Sequence, residues 1–267
     1  MMQRFLATGL LALACAPAVH AQVDIAPTAT LRAAYLATNP AQANRNAETG
    51  EMRGVSYNLA QRLAKATGKQ LDFKPMPSPP AVIDAVAKGE ADIGFVAYEA
   101  TRLGTVEFSQ TYMLVQQTFM VLDGSSIRSP ADIDRNGQKI AGTKSDSITL
   151  CLKRTLKRAR PVELENNPEL IAKAISSGEI DALGASRQRL TNLLRSIPGT
   201  RLLPDSFFNV PQNIIVPKGQ TAVLALVDAF IDEQRASGLL LTFVVNSGAV
   251  GVEAAPRSPG SQHGCPG

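Results

Sequence analysis

Histidine and tryptophan are nearly absent from this sequence of 267 residues. It has no tryptophan and two histidines: His20 in an N-terminal apolar segment and His263 in a C-terminal stretch rich in proline and glycine. The body of the chain therefore has no histidine. Because nucleophile–histidine pairs, histidine-rich zinc sites and HExxH motifs all need one there, we expect no catalytic residue, no metal site and no cofactor.

Cysteine is also scarce, and its three copies are Cys15, Cys151 and Cys265. The two that lie outside the N-terminal segment are too few for a disulfide framework. An oxidising compartment would permit a bridge between them. The expected flexibility of the C-terminal stretch and the expected burial of Cys151 instead favour two unpaired thiols.

The charge is mildly positive, with 27 basic and 23 acidic residues and a formal net charge of +4. Basic residues form no stripe, and aromatic residues make up only 5% of the chain. Proteins that bind nucleic acids usually interleave the two types on one surface. We therefore predict no nucleic-acid partner.

The N-terminus has the order of a secretory signal. Arg4 precedes an apolar run over residues 5–16, and small residues surround a cleavage point after Ala21. We predict a signal peptide over residues 1–21 and a periplasmic product. Lipidation of Cys15 is an alternative, but the leucine lies one place too far upstream for a good lipobox. No other apolar run approaches the roughly 18 residues of a membrane helix.

Strand and helix patterns alternate along the chain. The first unit reads strand, helix, strand, helix, strand, in the order "TLRAAYLA", "SYNLAQRLAKATG", "KQLDFKPM", "PAVIDAVAKGE" and "ADIGFVAY". This order predicts βαβ units and mainly parallel sheets. The chain is therefore expected to be an α/β protein.

Two long β-rich runs, residues 112–124 and 207–219, enclose a second series of alternating elements. A chain that leaves one α/β lobe, builds another and returns has two crossing strands and can bend about a cleft. The predicted lobes follow from this. The end of the chain is rich in proline, glycine and serine, which predicts a disordered tail. Lobe 1 takes residues 22–116 and 212–250, lobe 2 takes 117–211, and the tail takes 251–267.

Four segments resemble the polar-amino-acid family of bacterial periplasmic solute-binding proteins, the receptor subunits of ABC importers. They are "GVSYNLAQRLAKATG", "VIDAVAKGEADIGFVAYEATRLGTVEFSQTY", "SGEIDALGASRQRL" and "NIIVPKG". The second is the most specific, and the resemblance covers roughly residues 28–248. It implies the two-lobed type II periplasmic binding protein fold, a monomer, and an ABC permease of the inner membrane as the partner.

The resemblance also implies a role for Arg102. By motif position, Arg102 is the arginine that clamps the ligand carboxylate, and its planar fork of donors suits bidentate binding of that group. The alternative is a solvated arginine at a strand end, paired with Glu99 or Glu107.

Other candidate ligand contacts follow from the same comparison. The helix that begins near Ser147 and Asp146 would offer backbone donors to an anion, although both residue types are also common helix caps. Ser186 is predicted mainly as the cap of the helix that follows it. In the family, the acid that binds the ligand ammonium stands at this point, and Arg187, which directly follows that position, is a candidate cleft contact. The remaining candidates are Phe95 and Tyr98 as an apolar wall, Ala97 as a backbone neighbour, and Asn39 as a polar contact or turn residue.

Three departures from the family pattern concern a ligand ammonium. Ala97 stands where a serine or threonine is usual, Ser186 and Arg187 replace an acid, and the first-strand loop lacks an aspartate. A buried ammonium needs a nearby carboxylate. The expected ligand is thus a small carboxylate-bearing or otherwise anionic solute, amino-acid-like but without a free ammonium.

We predict a binding protein rather than an enzyme. The alternatives are an enzyme on the same fold, resembling cyclohexadienyl dehydratases, and a periplasmic sensor component. An enzyme would need a cleft acid or base, for which Glu99, Asp146 or a lysine are the candidates. The identity of the ligand does not follow from the sequence.

Overall fold

The computed structural model describes residues 23–46, 48–257 and 264–265. The predicted signal peptide and His263 lie outside the described residues. Twelve strands, seven α-helices and two short 3₁₀ helices form the described part. The strands are β1 (Thr30–Leu36), β2 (Asn44–Arg45), β3 (Met52–Arg53), β4 (Gln70–Met76), β5 (Ile93–Ala97), β6 (Val106–Leu122), β7 (Lys139–Thr143), β8 (Arg160–Leu164), β9 (Ala182–Ser186), β10 (Thr200–Leu202), β11 (Phe208–Pro217) and β12 (Val252–Ala254). The α-helices are α1 (Val55–Ala66), α2 (Pro79–Ala87), α3 (Ser147–Thr155), α4 (Pro168–Ser176), α5 (Arg187–Leu194), α6 (Thr221–Ala236) and α7 (Leu239–Ser247), and the 3₁₀ helices are Ala100–Arg102 and Pro130–Asp132.

The strands follow the order β4-β1-β5-β11-β6-β9-β7-β8. In one lobe β1 pairs in parallel with β4 and β5, and in the other β7 pairs in parallel with β8 and β9. Between these parallel sets, β6 and β11 run antiparallel to each other and to their neighbours. These two strands join the lobes, which confirms the predicted two-lobed α/β architecture.

Changes of strand partner lie next to the predicted lobe boundaries. β6 begins to pair with β9 at Gln117, and β11 begins to pair with β5 at Gln212. The exact division at 116/117 and 211/212 stays a prediction.

Each lobe has its own apolar core. In lobe 1, α1 turns Val55, Leu59 and Leu63 inward at helical spacing. Tyr35 stacks on Phe73 there, with ring centroids 4.3 Å apart. The lobe 2 core gathers residues of β6, β7 and α3, including Phe119, Ile140 and Ile148. None of the helices in the described part of the chain is long and apolar enough to cross a membrane.

The prediction of a disordered segment from residue 251 is wrong for its first part. Val252–Ala254 form β12, which pairs antiparallel with residues 113–115 of β6, and Ala255 is buried. The composition of the residues that follow is rich in proline and glycine, but the short apolar run before them still meets a free edge of β6.

The prediction of unpaired cysteines is also wrong. Cys151 in α3 and Cys265 form a disulfide, with their Cα atoms 5.4 Å apart. Burial of Cys151 did not argue against pairing, because its bonded partner Cys265 is itself half-buried.

Candidate functional site

A cavity of about 60 Å³ lies between the lobes, where strand ends from both meet. We call it the interlobe cavity. Lobe 1 contributes Thr38, Asn39 and Ala97 from the ends of β1 and β5, together with Pro79 of α2. Lobe 2 contributes the start of α3 and the β9–α5 junction, and the crossing strands form the floor with Val115, Gln117, Val210 and Gln212. The carboxyl ends of parallel strands are where α/β folds usually hold ligands.

The structure brings five of the nine predicted site residues to this cavity. They are Asn39, Ala97, Asp146, Ser147 and Ser186. The other four predicted residues, Phe95, Tyr98, Arg102 and Arg187, are not among its lining. Arg189 and Gln212 line the cavity although the sequence comparison did not single them out.

Arg102 is buried directly beside the cavity. Its Nη1 donates to the carbonyl of Ala97 at 2.8 Å, and its Nη2 donates to the carbonyl of Ser145 at 2.9 Å. Burial lowers the pKa of the Arg102 guanidinium, while the charges of Glu99 and Asp146 act in the opposite direction. The guanidinium thus joins the loop after β5 in lobe 1 to the loop after β7 in lobe 2. Its role as a ligand clamp stays a prediction.

Ser145 has a backbone conformation that non-glycine residues rarely adopt. Its φ of 66° is the one positive value among the described non-glycine residues. A side chain in this left-handed region costs roughly 1–2 kcal/mol. The hydrogen bond from Arg102 to the Ser145 carbonyl helps to hold this turn, which precedes α3.

Ser145→Gly is therefore expected to raise the free energy of unfolding by up to about 1 kcal/mol. Glycine relieves the strain at this turn, but part of the gain is offset because glycine has greater freedom in the unfolded chain. Urea denaturation measures the change. Ser145→Ala keeps the Cβ atom and serves as the matched control, with no gain expected. A lower stability for the glycine variant than for the alanine variant would contradict this expectation.

Asp146 and Arg189 form an ion pair in the wall of the cavity. The Arg189 Nη1 lies 3.2 Å from the Asp146 Oδ2, and the Arg189 Nη2 donates to Asn166 Oδ1 at 2.7 Å. Burial raises the pKa of the Asp146 carboxyl to about 6, against the opposing effects of Arg189 and Arg102. Although Asp146 occupies the N-cap position of α3, its side chain makes no capping hydrogen bond. The carboxylate therefore belongs to the cavity rather than to the helix cap.

Ser147 is the first residue of α3 and lines the interlobe cavity. Its Oγ atom is buried and has no hydrogen-bond partner in the described part of the chain. The backbone N–H groups of the first helical turn lie at the same place and carry partial positive charge. A buried hydroxyl without a partner is costly, and an anionic acceptor in the cavity would relieve that cost.

Ser186 acts as a helix cap, as predicted. Its Oγ accepts a hydrogen bond from the Arg189 N–H at 3.3 Å, at the start of α5. The same residue lines the interlobe cavity. The cap orients the first turn of α5, from which Arg189 reaches Asp146.

Asn39 is a turn residue, since its Oδ1 accepts from the Ala41 N–H at 3.2 Å, and it also belongs to an amide network. Gln212 Oε1 accepts from Gln42 Nε2 at 3.0 Å and from Asn39 Nδ2 at 3.5 Å. Gln42 Oε1 in turn accepts from the Leu36 N–H at 2.8 Å. The network fixes the first-strand loop against the crossing strand β11, so the lobe 1 side of the cavity is rigidly held.

Arg187 is committed elsewhere. Its Nε donates to Gln116 Oε1, and its Nη1 and Nη2 donate to the carbonyls of Leu203 and Pro204. These contacts join α5 to the crossing strand and to the loop before β11. The structure therefore does not bring Arg187 to the cavity, and the proposed charge inversion at this position has no geometric support.

The two predicted aromatic residues pack away from the cavity as well. Phe95 is fully buried and meets Tyr112 edge-on, with ring centroids 5.9 Å apart. Tyr98 packs against Phe108 at 5.3 Å. The interpretation as a core residue fits Phe95, whereas Tyr98 is half-buried and lines a second, neighbouring cavity.

A family model described as "Bacterial extracellular solute-binding proteins, family 3" matches residues 31–243 of the chain. The chain belongs to this family. Its sequence is 26% identical over 199 residues to the ABC transporter glutamine-binding protein GlnH of Bacillus subtilis, which covers 73% of this chain and 72% of that protein. A glutamine-binding protein of Geobacillus stearothermophilus is 26% identical over 175 residues, with coverage of 64% and 66%.

Solved structures with the same architecture include two arginine-bound proteins. The amino acid ABC transporter substrate-binding protein AbpA of Streptococcus pneumoniae, bound to L-arginine, has a TM-score of 0.69 at 21% identity, covering 82% of this chain and 94% of that one. An ancestral arginine-binding protein bound to arginine has a TM-score of 0.70 at 24% identity, with coverage of 82% and 98%. This likeness confirms the predicted type II periplasmic binding protein fold.

In this solute-binding protein, two polar contacts cross directly between the lobes beside the cavity. One is the bond from Arg102 to the Ser145 carbonyl, and the other is an ion pair in which Arg154 Nη1 lies 2.7 Å from Glu99 Oε1. Glu99 is buried, whereas Arg154 is 44% exposed. The structure therefore has its lobes in contact, with both cleft acids, Glu99 and Asp146, paired to arginines.

Proposed function

We propose that this protein is the substrate-binding component of an amino-acid ABC importer. It captures a small, carboxylate-bearing, amino-acid-like solute between its lobes and presents the closed form to a permease in the inner membrane. The family membership and the names of the relatives support this function. The observation that carries it is the Ser147 hydroxyl at the start of α3, which has no hydrogen-bond partner among the described residues and belongs to a residue that lines a cavity between both lobes.

A carboxylate suits the lobe 2 side of the cavity. The first turn of α3 supplies backbone donors and the positive end of the helix, and Ser147 supplies a hydroxyl donor. Arg102, Arg154 and Arg189 add three positive charges close by, against the two negative charges of Glu99 and Asp146. An anionic group would balance the remaining positive charge.

An amine on the same ligand also has a partner. Asp146 offers a carboxylate oxygen at the cavity wall. This carboxylate can bind an ammonium even though Ser186 stands where the family has its ammonium-binding acid. An ammonium near this group would favour its charged form and offset the effect of burial. We therefore extend the proposed ligand class to amino acids that carry both groups.

Calorimetric titration against matched ligand pairs tests this function. The panel contains L-glutamine, L-arginine and L-glutamate, with glutarate as the partner of glutamate that lacks the amine. At one hundred times Kd, a bound ligand stabilises the protein by about 2.7 kcal/mol, which a thermal-shift screen detects first. We expect at least one amino acid to bind, and Ser147→Ala to weaken its binding.

Two other outcomes are informative. Tighter binding of glutarate than of glutamate would restore the expectation of an anion without an ammonium. Absence of binding across the panel, together with no small molecule retained in native mass spectrometry of the freshly purified protein, would contradict the proposal.

We also propose that the protein does not catalyse a reaction. Glu99 and Asp146, the cleft acids that could act as a general acid or base, are both held by arginine side chains. Turnover of prephenate or arogenate that is lost on Asp146→Asn would contradict this view and favour the dehydratase-like alternative.

A further inference from the structure

Two strands from different lobes lie end to end on one edge of β6. β12, which packs with lobe 1, pairs with residues 113–115 of β6, and β9 of lobe 2 pairs with residues 117–120. β11 pairs with β6 along residues 113–117 as well. Because a strand has only two edges, β11 takes one of them and β9 and β12 share the other. Gln116 of β6 lies where β12 gives way to β9.

This junction brings the start of α5 against the loop before β12. Gly251 directly precedes β12, and Arg187 directly follows β9. The Gly251 carbonyl accepts from the Gln116 N–H at 2.8 Å, and Arg187 Nε donates to Gln116 Oε1 at 3.0 Å. The neighbouring Val250 N–H donates to Gln188 Oε1. The start of a lobe 2 helix therefore rests on a loop that is attached to lobe 1.

Position 251 has no room for a side chain. A Cβ atom there would lie 3.0 Å from the Arg187 Cβ, 3.1 Å from the Arg187 Cδ and 3.1 Å from Gln116 Oε1. Non-bonded carbon atoms pack best at about 3.5–4.0 Å. The φ of Gly251 is 71°, which also favours glycine. Any larger residue at position 251 must therefore push Arg187 away.

Arg187 cannot yield through its side chain alone. Its Nη1 and Nη2 donate to the carbonyls of Leu203 and Pro204 at 3.3 and 2.8 Å, in addition to the bond from Nε to Gln116. Three bonds in different directions hold the guanidinium. The Arg187 Cβ is fixed to the backbone, so a push at this atom moves the first turn of α5.

The first turn of α5 forms part of the wall of the interlobe cavity. Ser186 and Arg189 line that cavity, whereas Arg187 and Gly251 are not among its lining residues. The Ser186 Oγ accepts from the Arg189 N–H, and the Arg189 side chain pairs with Asp146. A shift of Arg187 would therefore displace both lining residues.

We propose that Arg187 and Gly251 are positioning residues for the ligand site. Their contact sets where the start of α5 lies relative to lobe 1, and thereby places Ser186 and Arg189 at the cavity. The expected effect on affinity rests on the proposed binding function. The expected effect on the start of α5 does not require a ligand.

Gly251→Asn tests the contact, with Gly248→Asn as its matched control. Asparagine tolerates a positive φ better than most residues that have a Cβ atom, so the change at position 251 mainly adds bulk. Gly248 has a φ of 62°, and a Cβ atom there would meet nothing within 4 Å in the described part of the chain beyond its own chain neighbours. We expect Gly251→Asn to weaken ligand binding by about tenfold and Gly248→Asn to leave it unchanged. Calorimetric titration with the amino acid of the panel that binds the wild type most tightly measures this.

Hydrogen exchange of the Arg189 amide, followed by NMR in the ligand-free protein, tests the structural part. Gly251→Asn should speed this exchange, because a shift of the first turn disturbs the bond to the Ser186 Oγ. Gly248→Asn should not change it. Equal affinities or equal exchange rates of the two variants would overturn the proposal. Faster exchange in Gly251→Asn alone, with no ligand of the panel bound by the wild type, would support the contact and count against the import function instead.

A double variant shows whether the two positions act through each other. Arg187→Ala removes most of the side chain that meets position 251, together with its three bonds. In that background, Gly251→Asn should have little further effect on affinity. Fold-changes that simply multiply would mean that the positions act independently, which contradicts the proposal. If Gly251→Asn does not fold, Gly251→Ala with Gly248→Ala as its control carries the same test with a smaller side chain.

Discussion

Arg102→Ala is expected to destabilise the protein and to weaken ligand binding together. The guanidinium donates to the carbonyls of Ala97 and Ser145, and alanine leaves both acceptors without that donor. Each buried polar group that loses its partner costs about 1–3 kcal/mol. We therefore expect the free energy of unfolding to fall by about 2 to 4 kcal/mol, as measured by urea denaturation.

The loss of binding has a related cause. Arg102 holds the Ser145 turn, and that turn positions the start of α3 at the cavity. Truncation also removes a positive charge next to the site. Affinity for the best ligand of the panel should fall by about 2 to 5 kcal/mol, mainly through faster release.

Arg102→Lys separates the charge from the geometry. Lysine keeps the positive charge but cannot hold two carbonyls with a planar fork. If the fork matters, the lysine variant recovers only part of the stability and of the affinity. If the alanine variant has the same urea midpoint and the same ligand affinity as the wild type, Arg102 is neither a clamp for the ligand nor a support for the turn.

The fold could be predicted from the sequence because its signals are local. Helical spacing in α1 and the alternation of strands and helices each depend on neighbours within a few residues. The two crossing strands followed from the two long β-rich runs, which appear as β6 and β11. Chain order then left few topologies to consider.

The site was harder to predict because it depends on where side chains point. Arg187 and Arg189 are two residues apart on α5, so their side chains differ by about 200° around the helix and cannot face the same cavity. Position relative to the family acid favoured Arg187, but Ser186 caps the helix and sets Arg189 towards Asp146. Numbering the helical positions from the predicted cap at Ser186 would have placed Arg189, rather than Arg187, on the face of α5 towards the cavity.

Partners distant in sequence were missed for a different reason. Arg102 meets Ser145 across 43 positions, and Cys151 meets Cys265 across 114. No local pattern encodes such contacts, since they exist only once both lobes are assembled. The composition of the C-terminal stretch, rich in proline and glycine, made an anchor there unexpected, although two cysteines in a chain that is predicted to be exported allow one.

Asp146→Asn is expected to stabilise the ligand-free protein at neutral pH. Burial raises the pKa of the Asp146 carboxyl from its ordinary value of 3.8 to about 6 in the folded protein. Between these two values the folded state binds more protons than the unfolded state, so the free energy of unfolding falls as pH rises from about 4 to about 6. The shift corresponds to about 3 kcal/mol, a cost that is fully present above pH 6 and absent below pH 4.

Asparagine keeps the shape of the side chain without the buried charge. The variant should therefore exceed the wild type in stability by about 2 to 3 kcal/mol at pH 7, and the difference should disappear near pH 4. Urea denaturation at several pH values measures it. Asp84→Asn, which alters an exposed ion pair with Lys88, is the matched control and should change stability by less than about 1 kcal/mol.

Ligand binding should move in the opposite direction. If Asp146 accepts the ligand ammonium, Asp146→Asn loses affinity for an amino acid while its affinity for the matched acid without an amine is preserved or increased. Such a variant, more stable and less able to bind, is the usual sign of a residue retained for function at a cost in stability. Equal stability of variant and wild type across the pH range would show that the Asp146 carboxylate is not strained by burial. Unchanged affinity for both ligands would remove Asp146 from the recognition of the amine.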